Sequence, residues 1–136
     1  MSPTVLMLMG FITWSIILLL GVSVSRFHAV GSGRFHLRHI TPDGEMLAPF
    51  AHRIHRAQMN CLENLPMVVG VCLIAFMLNQ VQLIDPLAYL FLTCRIAQSL
   101  VHLYSVRIYA VMARFLLYAV QIALLIYWLG IMFANS

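Results

Sequence analysis

Four long apolar runs, separated by shorter polar segments, dominate the chain. They cover approximately Val5 to Val24, Met59 to Met77, Leu87 to Val106 and Val111 to Phe133. Each run approaches the ~20 residues that an α-helix needs to cross the hydrocarbon core of a membrane. The pattern predicts an all-α polytopic membrane protein, a four-transmembrane-helix bundle. We expect a single domain over residues 1–136, with helices at about 5–25, 53–78, 86–106 and 109–133.

The composition and the connections agree with this prediction. Of the 136 residues, 62% are hydrophobic and 9% are charged, which is typical of a membrane protein. The second and third connections are short, so helices two, three and four should be antiparallel neighbours. The first connection is longer, and its Gly33 and Pro42-Asp43-Gly44 are turn residues.

All eight basic residues are arginine, and their positions predict a topology. The first and third connections contain or adjoin Arg26, Arg34, Arg38, Arg53, Arg56, Arg107 and Arg114, whereas the second connection and both termini have no basic residue. The positive-inside rule then places the first and third loops in the cytoplasm and both termini on the opposite side. The short chain and uncharged termini favour a bacterial inner membrane. We expect no nucleic-acid partner, because the arginines lie in loops and membrane spans and form no soluble basic face.

Cysteines and histidines give no sign of a metal centre. Cys61, Cys72 and Cys94 fall within predicted spans, which favours buried small hydrophobic residues over disulfides. The histidine pairs His36/His39 and His52/His55 have ligand-like spacing but lack neighbouring acidic or thiol ligands. We therefore expect no metal and read these histidines as interfacial.

Three predicted helices carry polar stripes at helical spacing. The stripes are Arg53, Arg56, Asn60 and Glu63 in the second helix, Arg95, Gln98 and His102 in the third, and Arg114, Tyr118 and Gln121 in the fourth. Ionisable groups within a membrane span usually line a bundle interior or a polar cavity. They can also act as glue between helices, with Glu63 neutralising Arg95 or Arg56. Arginine on three helices against one glutamate favours an anionic ligand, or the carboxylate of a partner subunit.

The second-helix residues resemble a family signature. The pattern is Arg56-Ala-Gln58-x-Asn60-Cys61-x-Glu63-x-x-Pro66, which is similar to that of the MAPEG family, the membrane-associated proteins in eicosanoid and glutathione metabolism. The similarity is closest to the branch containing leukotriene C4 synthase, the 5-lipoxygenase-activating protein and microsomal glutathione transferases. It implies a homotrimer that binds glutathione between subunits near the cytoplasmic face.

The resemblance also implies roles for individual residues. Arg56, Asn60 and Glu63 match glutathione-contacting positions, and an arginine near the start of the fourth helix would stabilise the thiolate. Arg114 is our choice for that arginine, with Arg107 as the alternative. The sequence departs from the pattern in the third helix, where relatives usually carry a histidine or tyrosine and then a tyrosine. The expected glutathione-binding residues are Arg26, Arg53, Arg56, Gln58, Asn60, Glu63, Arg95, Gln98, His102, Arg107 and Gln121, and the expected catalytic residues are Arg114 and Tyr118.

The function expected from these arguments is that of a membrane-embedded glutathione transferase. Glutathione would be the co-substrate, and its thiolate would attack a lipophilic electrophile arriving among the membrane lipids, or reduce a lipid hydroperoxide. The alternative is a non-catalytic lipid- or glutathione-binding module resembling the 5-lipoxygenase-activating protein. An anion transporter is a third possibility, but it predicts polar stripes that reach both membrane faces, and the second-loop side has few polar residues.

Overall fold

The computed structural model describes residues 1–32, 49–104 and 107–135, and these residues form a four-helix bundle. The helices are α1 (Pro3–Gly31), α2 (Pro49–Met77), α3 (Asp85–Tyr104) and α4 (Ile108–Ala134), and a 3-10 turn at Val81–Leu83 joins α2 to α3. The predicted all-α fold with four helices is confirmed. The predicted turns in the first loop, together with Arg34, Arg38, His36 and His39, lie outside the described residues.

Two helices begin or end well beyond the predicted bounds. Helix α1 continues to Gly31 instead of ending near residue 25, and α2 begins at Pro49 instead of residue 53. The added segments contain polar residues, and a hydropathy pattern assigns such residues to a loop. Backbone hydrogen bonds nevertheless continue, as shown by the Ser32 amide donating to the His28 carbonyl at 3.0 Å. The two helices therefore extend past their apolar runs.

Helix α3 is central to the packing. It packs against α1, α2 and α4, and α1 also packs against α2. Side-chain contacts show the directions of the helices relative to α3: α1 runs parallel to it, and α2 and α4 run antiparallel to it. These contacts are Thr4–Asp85 with α1, Arg53–Leu103 and Cys61–Ser99 with α2, and Gln98–Gln121 and His102–Arg114 with α4. The predicted antiparallel order of helices two, three and four is thus confirmed.

The core of the bundle is apolar and closely packed. Phe91 of α3 lies between Phe11 of α1 and Trp128 of α4, with ring centroids 6.3 and 5.6 Å apart, and all three side chains are fully buried. Gly10 allows α1 to approach α3, because a Cβ there would lie 2.7 Å from the Leu92 Cδ2. The three cysteines are buried and free, as predicted.

Among the described helices, α1, α2 and α4 are long and apolar enough to cross a membrane. Helix α3 has 20 residues and does not meet that standard, since Arg95, Gln98 and His102 lower its hydropathy. Its polar side chains are accommodated by burial, with Arg95 and Gln98 only 0% and 3% exposed. The neighbouring helices therefore shield from lipid the polar face that the sequence predicts.

One carboxylate connects two helices at the end of the bundle opposite most of the arginines. Asp85, at the start of α3, accepts hydrogen bonds from the Thr4 amide at 2.9 Å and the Thr4 hydroxyl at 2.7 Å. A carboxylate at a helix N-terminus satisfies a backbone N–H that lacks an intrahelical partner. The N-termini of α1 and α3 are therefore tied at this end, whereas the polar site lies toward the other.

Candidate functional site

Two adjoining cavities lie between α2, α3 and α4, toward the end where α2 and α4 begin. The α2 cavity has a volume of about 490 Å³ and is lined by His52, His55, Arg56, Met59, Asn60, Glu63 and His102. The α4 cavity has a volume of about 310 Å³ and is lined by Asn60, Glu63, Gln98, His102, Val111, Arg114, Phe115 and Tyr118. Asn60, Glu63 and His102 line both. The two cavities therefore form one polar site that all three predicted stripes help to build.

Arg114 of α4 and His102 of α3 are in direct contact. Nη1 of Arg114 lies 2.9 Å from Nδ1 of His102, which is a hydrogen-bonding distance. Both side chains are half-buried, and both line the α4 cavity. This contact places a guanidinium at the wall of the cavity and connects the third and fourth helices there.

Arg95 lies behind this wall and is fully buried. Its Nη1 donates to Oδ1 of Asn60 at 3.4 Å, and its guanidinium carbon lies 5.3 Å from the centre of the Phe11 ring. Within the described parts of the chain, Nε and Nη2 of Arg95 have no hydrogen-bond partner. The cation is therefore held by an amide and an aromatic face, and it contacts a residue of the cavities through Asn60.

Glu63 lies on the exposed side of α2 and is the carboxylate among the residues lining the two cavities. The sequence left open that Glu63 neutralises Arg95 or Arg56. In residues 1–32, 49–104 and 107–135, no cationic group lies within 4.0 Å of its carboxylate. The site accordingly presents a separate negative group together with the guanidinium groups of Arg56 and Arg114.

Two predicted binding residues bond to each other. Nε2 of Gln121 donates to Oε1 of Gln98 at 2.9 Å and also to the Leu117 carbonyl at 2.8 Å. Gln121 is fully buried and lines neither cavity, whereas Gln98 lines the α4 cavity. This amide pair forms the inner boundary of the site and joins α3 to α4.

Four other predicted binding residues lie outside both cavities. Nε of Arg53 donates to the Leu103 carbonyl at 2.9 Å, so this arginine links α2 to the last turn of α3. Gln58 points into the interior and is 3% exposed. Arg107 is exposed at the N-cap of α4, and Arg26 lies near the end of α1. The structure therefore does not bring these four residues together with the others.

Sequence reasoning missed several lining residues. His52, His55 and Met59 complete the wall of the α2 cavity, and Val111 and Phe115 form an apolar side of the α4 cavity. His55, Met59 and Glu63 are spaced at i, i+4 and i+8, so helical spacing was a usable signal for the histidine. Nothing distinguished Val111 or Phe115 from other apolar residues of the fourth helix.

Comparison with known families decides the assignment. The model of the MAPEG family matches residues 4–134, which is nearly the whole chain. The chain belongs to the MAPEG family. Comparisons with curated proteins and with solved structures gave no match. As a MAPEG protein with long apolar helices, it is an integral membrane protein. The polar site between α2, α3 and α4 is thus the candidate functional site of a MAPEG chain.

Proposed function

We propose that this protein is a membrane-embedded glutathione transferase, which activates glutathione as a thiolate for attack on a lipophilic electrophile. The observation that carries the proposal is the site between α2, α3 and α4, where guanidinium groups outnumber the one lining carboxylate. Membership of the MAPEG family supports a role in glutathione chemistry.

The charges of the site complement those of the glutathione thiolate. That ligand carries two carboxylates, a thiolate and one ammonium, so its net charge is −2. Arg56 and Arg114 line the cavities and Arg95 lies behind Asn60, so three cations face one carboxylate, Glu63. Guanidinium groups bind carboxylates by paired hydrogen bonds, and Glu63 provides a partner for the ammonium. Bound ligand and site are therefore neutral together.

The position of Arg114 supports activation of the thiol. The thiolate is the nucleophile, and a nearby cation favours it over the thiol. Arg114 and Tyr118 line the same cavity, so a sulfur placed there has a guanidinium and a hydroxyl within reach. The thiol proton leaves to solvent, the sulfur forms a bond to the electrophilic carbon, and the electron pair displaced there leaves with a leaving group or takes up a proton.

The α4 cavity provides an apolar approach to the sulfur. Val111 and Phe115 line it, and Phe115 is 69% exposed on the outer surface of α4. If this side chain faces lipid, an apolar electrophile dissolved in the membrane reaches the cavity without crossing water. Reduction of a lipid hydroperoxide would use the same nucleophile and the same approach.

A neighbouring subunit would complete the outer side of the site. Arg56 and Glu63 are exposed in the single chain, although polar groups at membrane depth normally face protein or water. The homotrimer implied by the family resemblance would cover this face, with the first and third loops in the cytoplasm. Crosslinking in native membranes tests that assembly independently of activity.

The decisive experiment is a glutathione titration of the detergent-purified protein, following thiolate absorbance in the ultraviolet. S-methylglutathione, which cannot form a thiolate, is the matched control. A saturable signal with glutathione alone is the expected result. If both ligands bind and neither gives the signal, the protein is a binding module without an activated nucleophile. If neither ligand binds to the folded protein, the proposal is overturned.

A further inference from the structure

The contact between Arg114 and His102 determines where the histidine carries its proton. Arginine is only a hydrogen-bond donor, so Nδ1 of His102, at 2.9 Å from Nη1 of Arg114, must be the acceptor. An acceptor nitrogen has no proton. The imidazole is then neutral, and its proton lies on Nε2. Arg114 thus selects one tautomer of His102.

We propose that His102 is a neutral hydrogen-bond donor in this site, and that its Nε2–H binds the sulfur of glutathione. This inference rests on the proposed function. His102 lines both cavities, and Nε2 is its remaining polar atom once Nδ1 is occupied by Arg114. Nδ1 and Nε2 point to opposite sides of the imidazole ring, so this sulfur lies across the ring from Nη1 of Arg114, and the Arg114 cation polarises the Nε2–H donor through the ring.

The same geometry excludes His102 as the base that removes the thiol proton. A base at Nε2 would need the imidazole proton on Nδ1, where the Arg114 N–H also points. His102 therefore stabilises the thiolate by donation, and the thiol proton goes elsewhere.

Two substitutions distinguish the role of Nδ1 from the role of Nε2. The amide of His102→Asn places a polar atom near the position of Nδ1 and keeps an acceptor for Arg114, but it has no donor at Nε2. The longer amide of His102→Gln places an N–H near Nε2 and leaves Arg114 without its acceptor. We expect His102→Gln to retain most of the thiolate absorbance at saturating glutathione. His102→Asn should lower it about tenfold, because a hydrogen bond to a charged group is lost, while the dissociation constant for S-methylglutathione changes little.

The opposite order, with His102→Asn retaining the signal and His102→Gln losing it, would mean that the histidine serves Arg114 alone and would overturn the inference. Loss in both variants, or in neither, would overturn it as well, because the thiolate signal would then not follow the presence of a donor at Nε2. His28→Asn, on the exposed side of the last turns of α1 and outside both cavities, is the matched control.

Nitrogen-15 spectra of histidine-labelled protein test the tautomer without glutathione. The expected signal from His102, assigned by its disappearance in His102→Gln, is an unprotonated Nδ1 and a protonated Nε2 at neutral pH. An Nδ1–H tautomer or an imidazolium would overturn the inference. A wild-type protein that forms no thiolate would refute the proposed function instead, while these spectra would still report the state of His102.

Discussion

Arg95 reaches the polar site through Asn60, since its Nη1 donates to the Asn60 Oδ1 over 3.4 Å. The same oxygen accepts from Nδ2 of Asn64 at 3.2 Å, so the amide of Asn60 is held by one residue of its own helix and one of α3. This arrangement predicts that Arg95 positions Asn60 and adds to the positive potential of the site.

Replacing Arg95 with methionine should separate stability from binding. The cation is fully buried and has no acidic partner in the described ranges. Burying a charge that is not paired is costly, and an apolar side chain of similar length removes that cost. We expect an unchanged or higher thermal unfolding midpoint in detergent, together with weaker glutathione binding. A lower midpoint with unchanged binding would instead assign Arg95 to the fold.

Truncation of Asn60, the hydrogen-bond partner of Arg95, should lower the stability of the protein. Asn60→Ala removes the acceptor of Arg95 and leaves the Nη1 of this arginine without a partner among the described residues, like its Nε and Nη2. A buried donor without a partner costs about 1–3 kcal/mol of unfolding free energy. Thermal unfolding of the two variants, measured side by side, checks the contrast. Equal losses of stability in both would show that the amide is not what accommodates the buried cation.

Arg114→Ala should impair turnover much more than binding. If Arg114 stabilises the sulfur anion, its loss should lower kcat by about 100-fold, as for other donors to a reacting anion. The glutathione dissociation constant should change much less, because the carboxylates bind elsewhere. Arg107→Ala removes an equal charge from the start of α4, outside both cavities, and decides between the two arginines. A greater loss of kcat in Arg107→Ala would reverse the assignment.

Glu63→Gln should weaken recognition of the ligand ammonium. We expect glutathione to bind about tenfold more weakly, since a hydrogen bond to a charged group contributes about 1.5–3 kcal/mol. A glutathione analogue without the α-amino group provides the control, because it should bind the wild type and the variant equally. An equal loss of affinity for both ligands would mean that Glu63 shapes the cavity and does not bind the ammonium.

The Gln98–Gln121 pair should behave as a coupled structural unit. Gln121→Leu leaves the Gln98 amide without its partner and should cost about 1–3 kcal/mol. Gln98→Leu removes one of the two acceptors of Gln121 Nε2 and should cost less, because Gln121 keeps its bond to the Leu117 carbonyl. The double substitution should be less destabilising than the sum of the single ones, because no orphaned amide remains. Thermal unfolding of the four proteins completes the cycle, and additive losses would argue against the coupling.

Much of the bundle was predictable because a membrane span needs a long apolar run, and four such runs are plain in the chain. Helix ends were less predictable. Arg26 and His28 interrupt the apolar pattern, yet the backbone remains helical through Gly31. Hydropathy reports the environment of a side chain, whereas hydrogen bonds decide where a helix ends.

Helical spacing identified Arg56, Asn60 and Glu63 as one face of the second helix, and all three line the α2 cavity. Spacing contains no information on depth. Arg95 and Arg56 both belong to the predicted polar stripes, yet Arg95 is fully buried and Arg56 is exposed. Spacing also does not identify partners across helices. Arg53 therefore seemed equivalent to Arg56, although the structure shows it bonded to the Leu103 carbonyl. Tertiary packing decides both properties.

The apolar wall formed by Val111 and Phe115 has a consequence for enzyme kinetics. A substrate that enters past the outer surface of α4 is present at the site according to its mole fraction in the membrane, and not its nominal concentration in the buffer. The apparent KM for this substrate, expressed as its total concentration in the sample, should then rise in proportion to the amount of lipid or detergent added. The apparent KM for glutathione, which is dissolved in the buffer, should not change. Two substrates of one reaction would thus be measured in two different phases.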